Sequence, residues 1–302
     1  MPVPAFPLME PEVGFVIIGR NEGERLALSI DSVLRETAVA VYVDSGSTDD
    51  SVGLAIRQGL PVVELSRDLP FTAARARNAG FRWLEREYPG IRFVHFIDGD
   101  CELVPGWLET AMEALRTDPS LAAVCGRRRE RAPEASTYNR LCDFEWNTPV
   151  GIADSVGGDA LFRVEPLRAA GGFSDDLIAG EELDLCHRIR GEGWRILRAD
   201  GDMTIHDAAM TRFTQWWQRN RRNGYAVAES LTRRGNRRIL REVVSNVVWS
   251  MPPAWLLWPV LWTKVCLRRG ALRASYITLA KLPQFQGHCD YWRKRRSLIE
   301  YK

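Results

Sequence analysis

The sequence lacks the patterns on which several common enzyme classes depend. Its 302 residues include four histidines and six cysteines. No Cys-x-x-Cys pair, zinc-ligand spacing, Walker phosphate loop or Ser-His-Asp order occurs. These absences argue against structural zinc, P-loop nucleotide hydrolysis and triad hydrolysis. Cysteines without paired spacing are typical of reduced, mostly buried thiols, so we expect a cytosolic protein.

Internal repeats and low-complexity segments are also missing. Residues 1–11 have neither a basic region nor a long apolar core, so we expect no signal peptide. A chain of this length can bury one large core and carry a smaller additional part.

Charge is unevenly distributed although the whole chain is nearly neutral. Lys and Arg number 41 against 39 Asp and Glu, a formal net charge of +2. Residues 208–302 hold 19 basic and 4 acidic side chains, a net of +15, which leaves −13 for residues 1–207. This asymmetry predicts an anionic partner for the C-terminal part. An anionic membrane surface suits it and is preferred over nucleic acid, which we consider the weaker candidate.

Apolar runs alternate with helical patterns over about the first hundred residues. The apolar runs are residues 14–18, 39–43, 61–65 and 93–97. Helical patterns follow over residues 26–34, from near Ser51, and over residues 73–88. Alternation of this kind predicts βαβ units, so the expected fold class is α/β with a mostly parallel sheet flanked by helices.

Polar groups follow three of the predicted strands at the point where each strand ends. Asn21, Asp44 and the segment Asp98–Asp100 would share the carboxyl edge of the sheet, where open sheets of this kind bind ligands. Gly99 lets the backbone turn between two carboxylates. Two such oxygen donors suit Mg²⁺ or Mn²⁺ that also carries phosphate oxygens. Asp-Gly-Asp alone is also ordinary turn chemistry, but three polar loops on one edge favour a site.

Two groups of segments together resemble family 2 glycosyltransferases, which have the GT-A (Rossmann-like) fold. The first group resembles their nucleotide-sugar half: residues 16–22 (VIIGRNE), 43–49 (VDSGSTD), 76–80 (ARNAG) and 98–100 (DGD). The second contains residues 157–163 (GGDALFR), 171–173 (GGF), 180–188 (GEELDLCHR) and 193–196 (GWRI). The resemblance covers about residues 12–225, and the order and spacing of the segments make it specific.

The resemblance implies a binding site for a nucleotide-sugar donor. The residues that would form it are Arg20, Asn21, Glu22, Asp44, Arg77, Asn78, Asp98, Gly99 and Asp100. Within that set, Asp44 would hydrogen-bond the base, and the loop at residues 20–22 would lie beside it. Arg77 and Asn78 would lie near the ribose and diphosphate.

The metal ligands that the resemblance implies are Asp98, Asp100 and His206. Asp100 would hold the ion directly, and Asp98 would help through ribose or a water molecule. The expected cofactor is Mn²⁺ or Mg²⁺, and an imidazole ligand favours Mn²⁺. A structural histidine at a strand end is an equal alternative for His206.

Glu182, with Glu181 as the fallback, is the implied catalytic base. The family commonly has Glu-Asp where this chain has two glutamates. Carboxylates clustered in a cleft raise one another's pKa, which favours a base that works near neutral pH. If a helix begins here, Glu181 lies on the face of Asp184 and Arg188, and Glu182 points elsewhere. Asp184 would then pair with Arg188, although the helix dipole alone also favours acids in a first turn.

The implied reaction is inverting transfer of a hexosyl group from a nucleotide diphosphate sugar, with UDP favoured over GDP, to a hydroxyl acceptor. The acceptor would be a sugar or a lipid-linked molecule in cell-surface polysaccharide or glycolipid synthesis. Two other classes stay open. One is a non-catalytic protein of the same fold that binds nucleotide sugars or membranes, which donor turnover would exclude. The other is nucleic-acid binding through the basic tail, which steep salt dependence with DNA or RNA would favour.

We divide the chain into a GT-A domain, residues 1–207, and a basic, Trp-rich helical region, residues 208–302. The apolar stretch 243–267 contains four tryptophans, but Asn246 and several prolines make it a poor spanning helix. Tryptophans and basic flanks favour the headgroup level of an anionic membrane. We therefore expect a broken in-plane hairpin or monotopic anchor at the inner face of the cell membrane, with a helical pair buried against the domain as the alternative.

An aromatic and basic run precedes that stretch. Trp216, Trp217 and Arg219 have the residue types of a family motif near the acceptor end of polysaccharide synthases, but in a different order. The run does not support processive synthesis, and we interpret it as an interfacial helix near the acceptor.

Overall fold

The computed structural model describes residues 11–37, 39–235 and 237–294. Its strands are β1 (Val13–Gly19), β2 (Ala40–Asp44), β3 (Val62–Glu64), β4 (Phe93–Asp98), β5 (Cys101–Leu103), β6 (Leu121–Glu130), β7 (Gly151–Ile152), β8 (Ala160–Arg163) and β9 (Arg195–His206). Its helices are α1 (Glu24–Leu34), α2 (Ser51–Arg57), α3 (Ala73–Glu87), α4 (Trp107–Thr117), α5 (Thr137–Trp146), α6 (Val164–Ala169), α7 (Glu181–Gly191), α8 (Phe213–Arg234), α9 (Arg237–Ser250), α10 (Pro252–Trp255), α11 (Trp258–Arg269), α12 (Ala271–Leu279) and α13 (Lys281–Trp292).

The strands of the described residues form one mixed sheet in the order β3-β2-β1-β4-β8-β6-β9-β5, and β7 pairs with β9. Strands β1 to β4 run parallel to one another. β6 runs parallel to β9, and β5, β7 and β8 run antiparallel to their neighbours. The predicted α/β fold with a mostly parallel sheet flanked by helices is confirmed.

Burial on both faces explains why the first strands appear in the sequence as continuous apolar runs. Phe15, Val16 and Ile17 in β1 are fully buried, as expected for a central strand covered on both sides. Helix α3 begins after Thr72, whose side chain accepts a hydrogen bond from the N–H of Arg75. A Cβ on Gly80 of this helix would lie 2.3 Å from Val16. α3 therefore crosses β1 closely, which positions the start of the helix beside the carboxyl edge of the sheet.

Helices α8 and α13 form the centre of the C-terminal part. A Cβ on Gly224 would lie 2.1 Å from the backbone oxygen of Gln284, and a Cβ on Gly287 would lie 2.0 Å from that of Arg221. Only glycines permit two backbones to approach so closely. The cluster of contacts around Trp216, which is 3% exposed, joins α8 to α5 and α12.

Helix α8 also contacts the loop that precedes α7. Tyr225 and Ile178 bury each other, and Arg233 of α8 forms an ion pair with Asp176. The helical region therefore rests on the loop that leads to the glutamates at the start of α7. The division of the chain at residue 207 stays a prediction.

The apolar stretch 243–267 is divided between two environments. Helix α9 buries Val243, Asn246 and Ser250, whereas α10 and α11 bury none of their residues. Leu256 between them is 85% exposed and Leu267 is 84% exposed. None of the helices in the described part of the chain is long and apolar enough to cross a membrane.

Candidate active site

The carboxyl ends of β1, β2 and β4 lie side by side. Asp98 and Asp44 are in register with the last two residues of β1. Asn21 joins the first two loops, because its N–H donates to Ser47 Oγ at 2.9 Å and its side-chain oxygen accepts from the N–H of Thr48 at 2.7 Å. Its φ of 57° is a left-handed conformation that Asn tolerates better than most residues. The structure thus brings these rim residues together.

Asp44 organises the loop that follows β2. It is 1% exposed. Its Oδ2 accepts from the N–H groups of Gly46 and Ser47, both at 2.8 Å, and its Oδ1 accepts from the hydroxyls of Tyr42 and Ser47. A carboxylate has about four acceptor positions, and Tyr42, Gly46 and Ser47 together fill those of Asp44. The predicted hydrogen bond to a nucleotide base requires Asp44 to release one of these partners.

Arg20 and Glu22 lie on the same rim. The guanidinium of Arg20 lies 5.3 Å from the centroid of the Phe71 ring. Glu22 pairs with Arg25 at 2.8 Å. Burial, with the charge of Asp100 adding to it, raises the pKa of Glu22 to about 7. Glu22 therefore holds a proton beside Asp100 in a substantial fraction of molecules at neutral pH.

Backbone contacts fix the Asp98-Gly99-Asp100 turn against β1. The N–H of Gly99 donates to the carbonyl of Ile18 at 2.7 Å, and a Cβ on Gly99 would lie 3.1 Å from that oxygen. A side chain here would push the turn away from the strand, which explains the glycine. The N–H of Asp98 donates to Oδ1 of the fully buried Asp159 at 3.0 Å.

Two arginines occupy both oxygens of the Asp98 carboxylate. Oδ1 accepts from Arg77 at 3.0 Å, and Oδ2 accepts from Arg128 at 3.1 Å. Arg128 also lies 2.8 Å from Asp159 Oδ1. Two guanidinium groups already neutralise Asp98, so of the predicted metal ligands it is the least available for direct coordination.

Asp100 and His206 form a close pair at the end of the sheet. Antiparallel pairing of β5 with β9 places Cys101 opposite His206, and His206 Nε2 lies 3.3 Å from Asp100 Oδ2. Burial raises the pKa of Asp100, but the charge and hydrogen bond of His206, together with the charges of Arg128 and Arg25, hold that pKa below its usual range. Burial lowers the pKa of His206, but the charge of Asp100 and hydrogen bonding raise it to about 9.

This pair has the donor atoms that a divalent cation requires. Asp100, Cys101 and His206 each place one ligand atom within 4.8 Å of the others. Burial raises the pKa of the Cys101 thiol well above its usual value, so the thiol keeps its proton and is a poor ligand. The remaining carboxylate and imidazole suit Mn²⁺, and Mg²⁺ less well. The residues present therefore fit the expected ion.

Helix α7 begins with two glutamates that share one arginine. Arg77 Nη1 lies 2.7 Å from Glu181 and 3.2 Å from Glu182. The expectation that Glu182 points away from Glu181 is wrong, because both side chains reach the same guanidinium at the start of the helix. Burial and the charge of Glu182 raise the pKa of Glu181 above its usual range, against the opposing charge of Arg77.

Arg77 connects these glutamates to the acidic turn. It is 2% exposed, and its guanidinium lies 5.5 Å from the centroid of the Phe173 ring. Burial lowers the pKa of Arg77, but the charges of Glu182, Asp98 and Glu181 raise it well above its usual value. Its contacts are with protein carboxylates, so its predicted place near ribose and diphosphate stays a prediction.

Asn78 and Asp184 make structural contacts. The Asn78 amide donates to the carbonyl of Phe173 and to Asp175, both at 2.7 Å, and accepts from the N–H of Phe173 at 2.9 Å. Asn78 thereby holds the loop before α7, and its predicted place near the donor stays a prediction. Asp184 lies 3.0 Å from Arg188, so the predicted pairing of these two side chains is confirmed.

Four further residues form walls of the site: Arg128, Glu130, Trp146 and Asp159. The Trp146 ring lies 4.5 Å from the His206 ring, and the Arg128 guanidinium lies 5.6 Å from the Trp146 ring. The basic run 127–129 after an apolar strand was an available sequence signal for Arg128, and the GGDALFR segment was one for Asp159. Trp146 and Glu130 have no such signal, because tertiary packing alone brings them to His206.

Comparison with solved structures identifies the class of fold. A mannosyltransferase from Pyrobaculum calidifontis in complex with GDP-Man and Mn²⁺ matches with a TM-score of 0.63 at 16% identity, over 96% of this chain and 89% of that one. Glucosyl-3-phosphoglycerate synthase from Mycobacterium tuberculosis, in complex with Mg²⁺ and UDP, matches with a TM-score of 0.52 at 20% identity, over 74% of this chain and 79% of that one. The fold is therefore that of the GT-A glycosyltransferases.

Comparison with protein families narrows the class. The family described as Glycosyl transferase family 2 matches residues 15–168, which is half of the chain. The chain belongs to glycosyltransferase family 2. A search of the curated proteins found no match.

Proposed function

We propose that this chain is a metal-dependent, inverting glycosyltransferase that uses a nucleotide diphosphate sugar. One observation carries the proposal. Arg77 joins the Glu181–Glu182 pair, which fits a base, to Asp98, and two residues further along the same turn Asp100 pairs with His206 in an arrangement that fits a divalent cation. An ion for the diphosphate and a carboxylate for the acceptor are the two requirements of direct displacement at a sugar carbon.

In the proposed reaction, Glu182 is the base and Glu181 its neighbour. The Glu182 side chain is 17% exposed and that of Glu181 is 7% exposed, so Glu182 is more accessible to an acceptor. Glu182 takes the acceptor's O–H proton while the acceptor oxygen bonds to the anomeric carbon. The bond from that carbon to the diphosphate oxygen breaks, and its electron pair leaves with the diphosphate. A bound ion would supply charge stabilisation to this leaving group, and the base would contribute about 10²–10⁴-fold.

Both GDP- and UDP-containing complexes occur among the similar structures. They support a GDP- or UDP-sugar donor, and the names mannosyltransferase and glucosyl-3-phosphoglycerate synthase support a hexose. The preference for UDP over GDP stays a prediction. A sugar or lipid-linked hydroxyl acceptor in polysaccharide or glycolipid synthesis is part of the same proposal.

Calorimetric titration of UDP and of GDP, with and without Mn²⁺, tests the donor site. We expect one nucleotide to bind at least tenfold more tightly with Mn²⁺, and Asp100→Asn to abolish that gain without changing binding in the absence of the ion. Asp31→Asn, at an exposed position of α1, is the matched control and should retain the gain. If neither nucleotide shows metal-linked binding, the donor site is refuted. The non-catalytic alternative predicts binding without hydrolysis or transfer of the donor sugar.

We further propose that the α10–α11 surface rests on an anionic membrane at the inner face of the cell membrane. Exposed Val260 and Leu267 adjoin Lys264 and Arg268 on this surface. Apolar side chains flanked by cations suit a leaflet rich in anionic lipid. Helix α9, by contrast, is packed in the helical bundle. The proposed membrane contact therefore includes only part of residues 243–267.

Sedimentation with phosphatidylglycerol or phosphatidylcholine vesicles tests this contact. Two basic residues contribute about 2 kcal/mol at an anionic surface, so Lys264→Glu with Arg268→Glu should weaken binding to phosphatidylglycerol roughly 30-fold or more. Leu28→Ser, at an exposed leucine on α1, is the control for lost apolar surface. Binding to DNA or RNA with steep salt dependence, without binding to vesicles, would overturn the membrane proposal in favour of nucleic acid.

A further inference from the structure

Glu130 lies on the opposite side of the His206 imidazole from Asp100. It is the residue paired with His206 in the β6–β9 register. Its side chain is fully buried, and its Oε2 lies 3.8 Å from His206 Nδ1. Among the described residues Nδ1 has no hydrogen-bond partner, although it is buried. Asp100 and Glu130 therefore face the two ring nitrogens from opposite sides.

Three hydrogen bonds hold the Glu130 carboxylate in place. Oε1 accepts from the N–H of Ala132 at 3.3 Å and from the Asn139 amide at 3.0 Å, and Oε2 accepts from the N–H of Ala208 at 3.1 Å. These partners lie in two places along the chain: Ala132 and Asn139 lie before and within α5, and Ala208 follows β9. The carboxylate therefore cannot turn away from His206 without breaking contacts at both places.

An imidazole that binds a metal through one nitrogen carries its proton on the other, and that N–H requires an acceptor. If Nε2 ligates the ion, the imidazole proton belongs on Nδ1. A shift of about 1 Å would bring Nδ1 to hydrogen-bonding distance of Glu130 Oε2. The Trp146 ring, 4.5 Å from the imidazole, limits the ring's other movements.

We propose that Glu130 is a positioning residue that fixes the tautomer and direction of His206, so that Nε2 is free to ligate the ion. This inference rests on the metal site proposed above. Beyond that site, the inference is that part of the affinity for the ion depends on the buried Glu130, which acts through His206 and not by contacting the ion, the donor or the acceptor.

Binding of Mn²⁺ to the full chain, measured from the free-ion signal in electron paramagnetic resonance, tests the inference. Loss of such an outer carboxylate typically costs 10–100-fold in metal affinity, and we expect Glu130→Gln to lose that much. The same substitution made together with His206→Ala should weaken binding no further than His206→Ala alone, because the effect acts through the imidazole. Glu130→Asp, which keeps the charge, should retain part of the affinity and serves as the second variant if Glu130→Gln does not fold.

Asn139→Ala separates this role from simple support of the loops. It removes a hydrogen bond to Glu130 and one to the N–H of Met210 but leaves the carboxylate beside His206. Equal losses of Mn²⁺ affinity in Asn139→Ala and Glu130→Gln, or undiminished loss from Glu130→Gln in the His206→Ala background, would overturn the inference. Wild-type protein that binds no Mn²⁺ would refute the metal site itself, which is a distinguishable result.

Discussion

Replacing Arg77 with methionine tests whether one guanidinium holds the candidate site together. Arg77 lies within 3.2 Å of three carboxylates, those of Asp98, Glu181 and Glu182. Methionine keeps much of the side-chain volume but removes the charge and all of these contacts. The substitution leaves three acids facing one another in a largely buried space.

The cost follows from the burial of the partners. The Arg77 and Glu181 side chains are 3% and 7% exposed, whereas that of Asp98 is 26% exposed. Breaking a buried ion pair by removing one partner costs about 3–5 kcal/mol. Solvent weakens the ion pairs of the more exposed acids, and Asp98 keeps its contact with Arg128. We therefore expect a loss near the lower end of this range, about 3 kcal/mol in the free energy of unfolding at pH 8.

The loss should shrink in weak acid. Burial and Glu182 already raise the pKa of Glu181, and removing Arg77 should raise it further. An acid whose pKa is raised by folding binds protons more tightly in the folded state, so lower pH stabilises the protein. At about 1.4 kcal/mol per pH unit for one proton, we expect Arg77→Met to recover about 1–2 kcal/mol relative to wild type between pH 8 and pH 6.

Urea unfolding followed by tryptophan fluorescence at both pH values would measure these differences. Arg82→Met is the matched control, because Arg82 is exposed on the same helix and its replacement should change stability by less than about 0.5 kcal/mol. A loss below about 1 kcal/mol for Arg77→Met at pH 8, or an equal loss at both pH values, would refute the reasoning.

Two further predictions concern stability. In metal-free wild-type protein, the raised pKa values of Glu181 and His206 mean that the folded state binds extra protons. The His206 contribution is complete below pH 6.5 and lost toward pH 9, so the free energy of unfolding should fall between pH 6 and pH 9, and a flat or rising urea profile would contradict this. Gly158→Ala should cost about 1–3 kcal/mol, because its Cβ would lie 2.7 Å from both the Arg128 guanidinium and the Asp98 carboxylate. Thermal unfolding of Gly157→Ala, where a Cβ meets nothing within 4 Å, should show little change, and equal effects of the two alanines would contradict the packing argument.

The strands of the first hundred residues or so could be predicted because each is an unbroken apolar run. β4 ends at Asp98, and β1, β2 and β3 differ from the predicted runs by one residue at each end. Parallel pairing then follows from the βαβ alternation, and it places Asn21, Asp44 and Asp98 on one edge. Local pattern and topology together were sufficient for this part of the site.

The contacts within the site could not be predicted in the same way. Arg77 meets Glu181 across 104 residues of chain, and no periodicity encodes such a meeting. The hydrogen bonds that saturate Asp44 depend on the folded loop, and the direction of Glu182 depends on its contact with Arg77. Sequence patterns therefore could not predict which distant side chains contact one another in the folded site.

The C-terminal region shows a similar limit. Its apolar stretch looks uniform in sequence, but Asn246 is fully buried and bonds to Lys281 and His288. This polar network fixes α9 in the helical bundle, whereas α10 and α11 bury none of their residues. Hydropathy alone cannot distinguish α9 from α10 and α11, because all three helices carry the same kinds of side chain.

The contact of α8 with the loop before α7 bears on how much of the chain a minimal transferase needs. The family match ends at residue 168, before Glu181 and Glu182, and the loop leading to them is bordered by Tyr225 and Arg233. A fragment ending after β9 would retain the acidic turn and His206. It would lack the contacts of α8 with the loop that leads to Glu181 and Glu182. We therefore expect the shortened chain to keep donor binding and to lose sugar transfer. Helix α8 thus belongs to the same working unit as the proposed base.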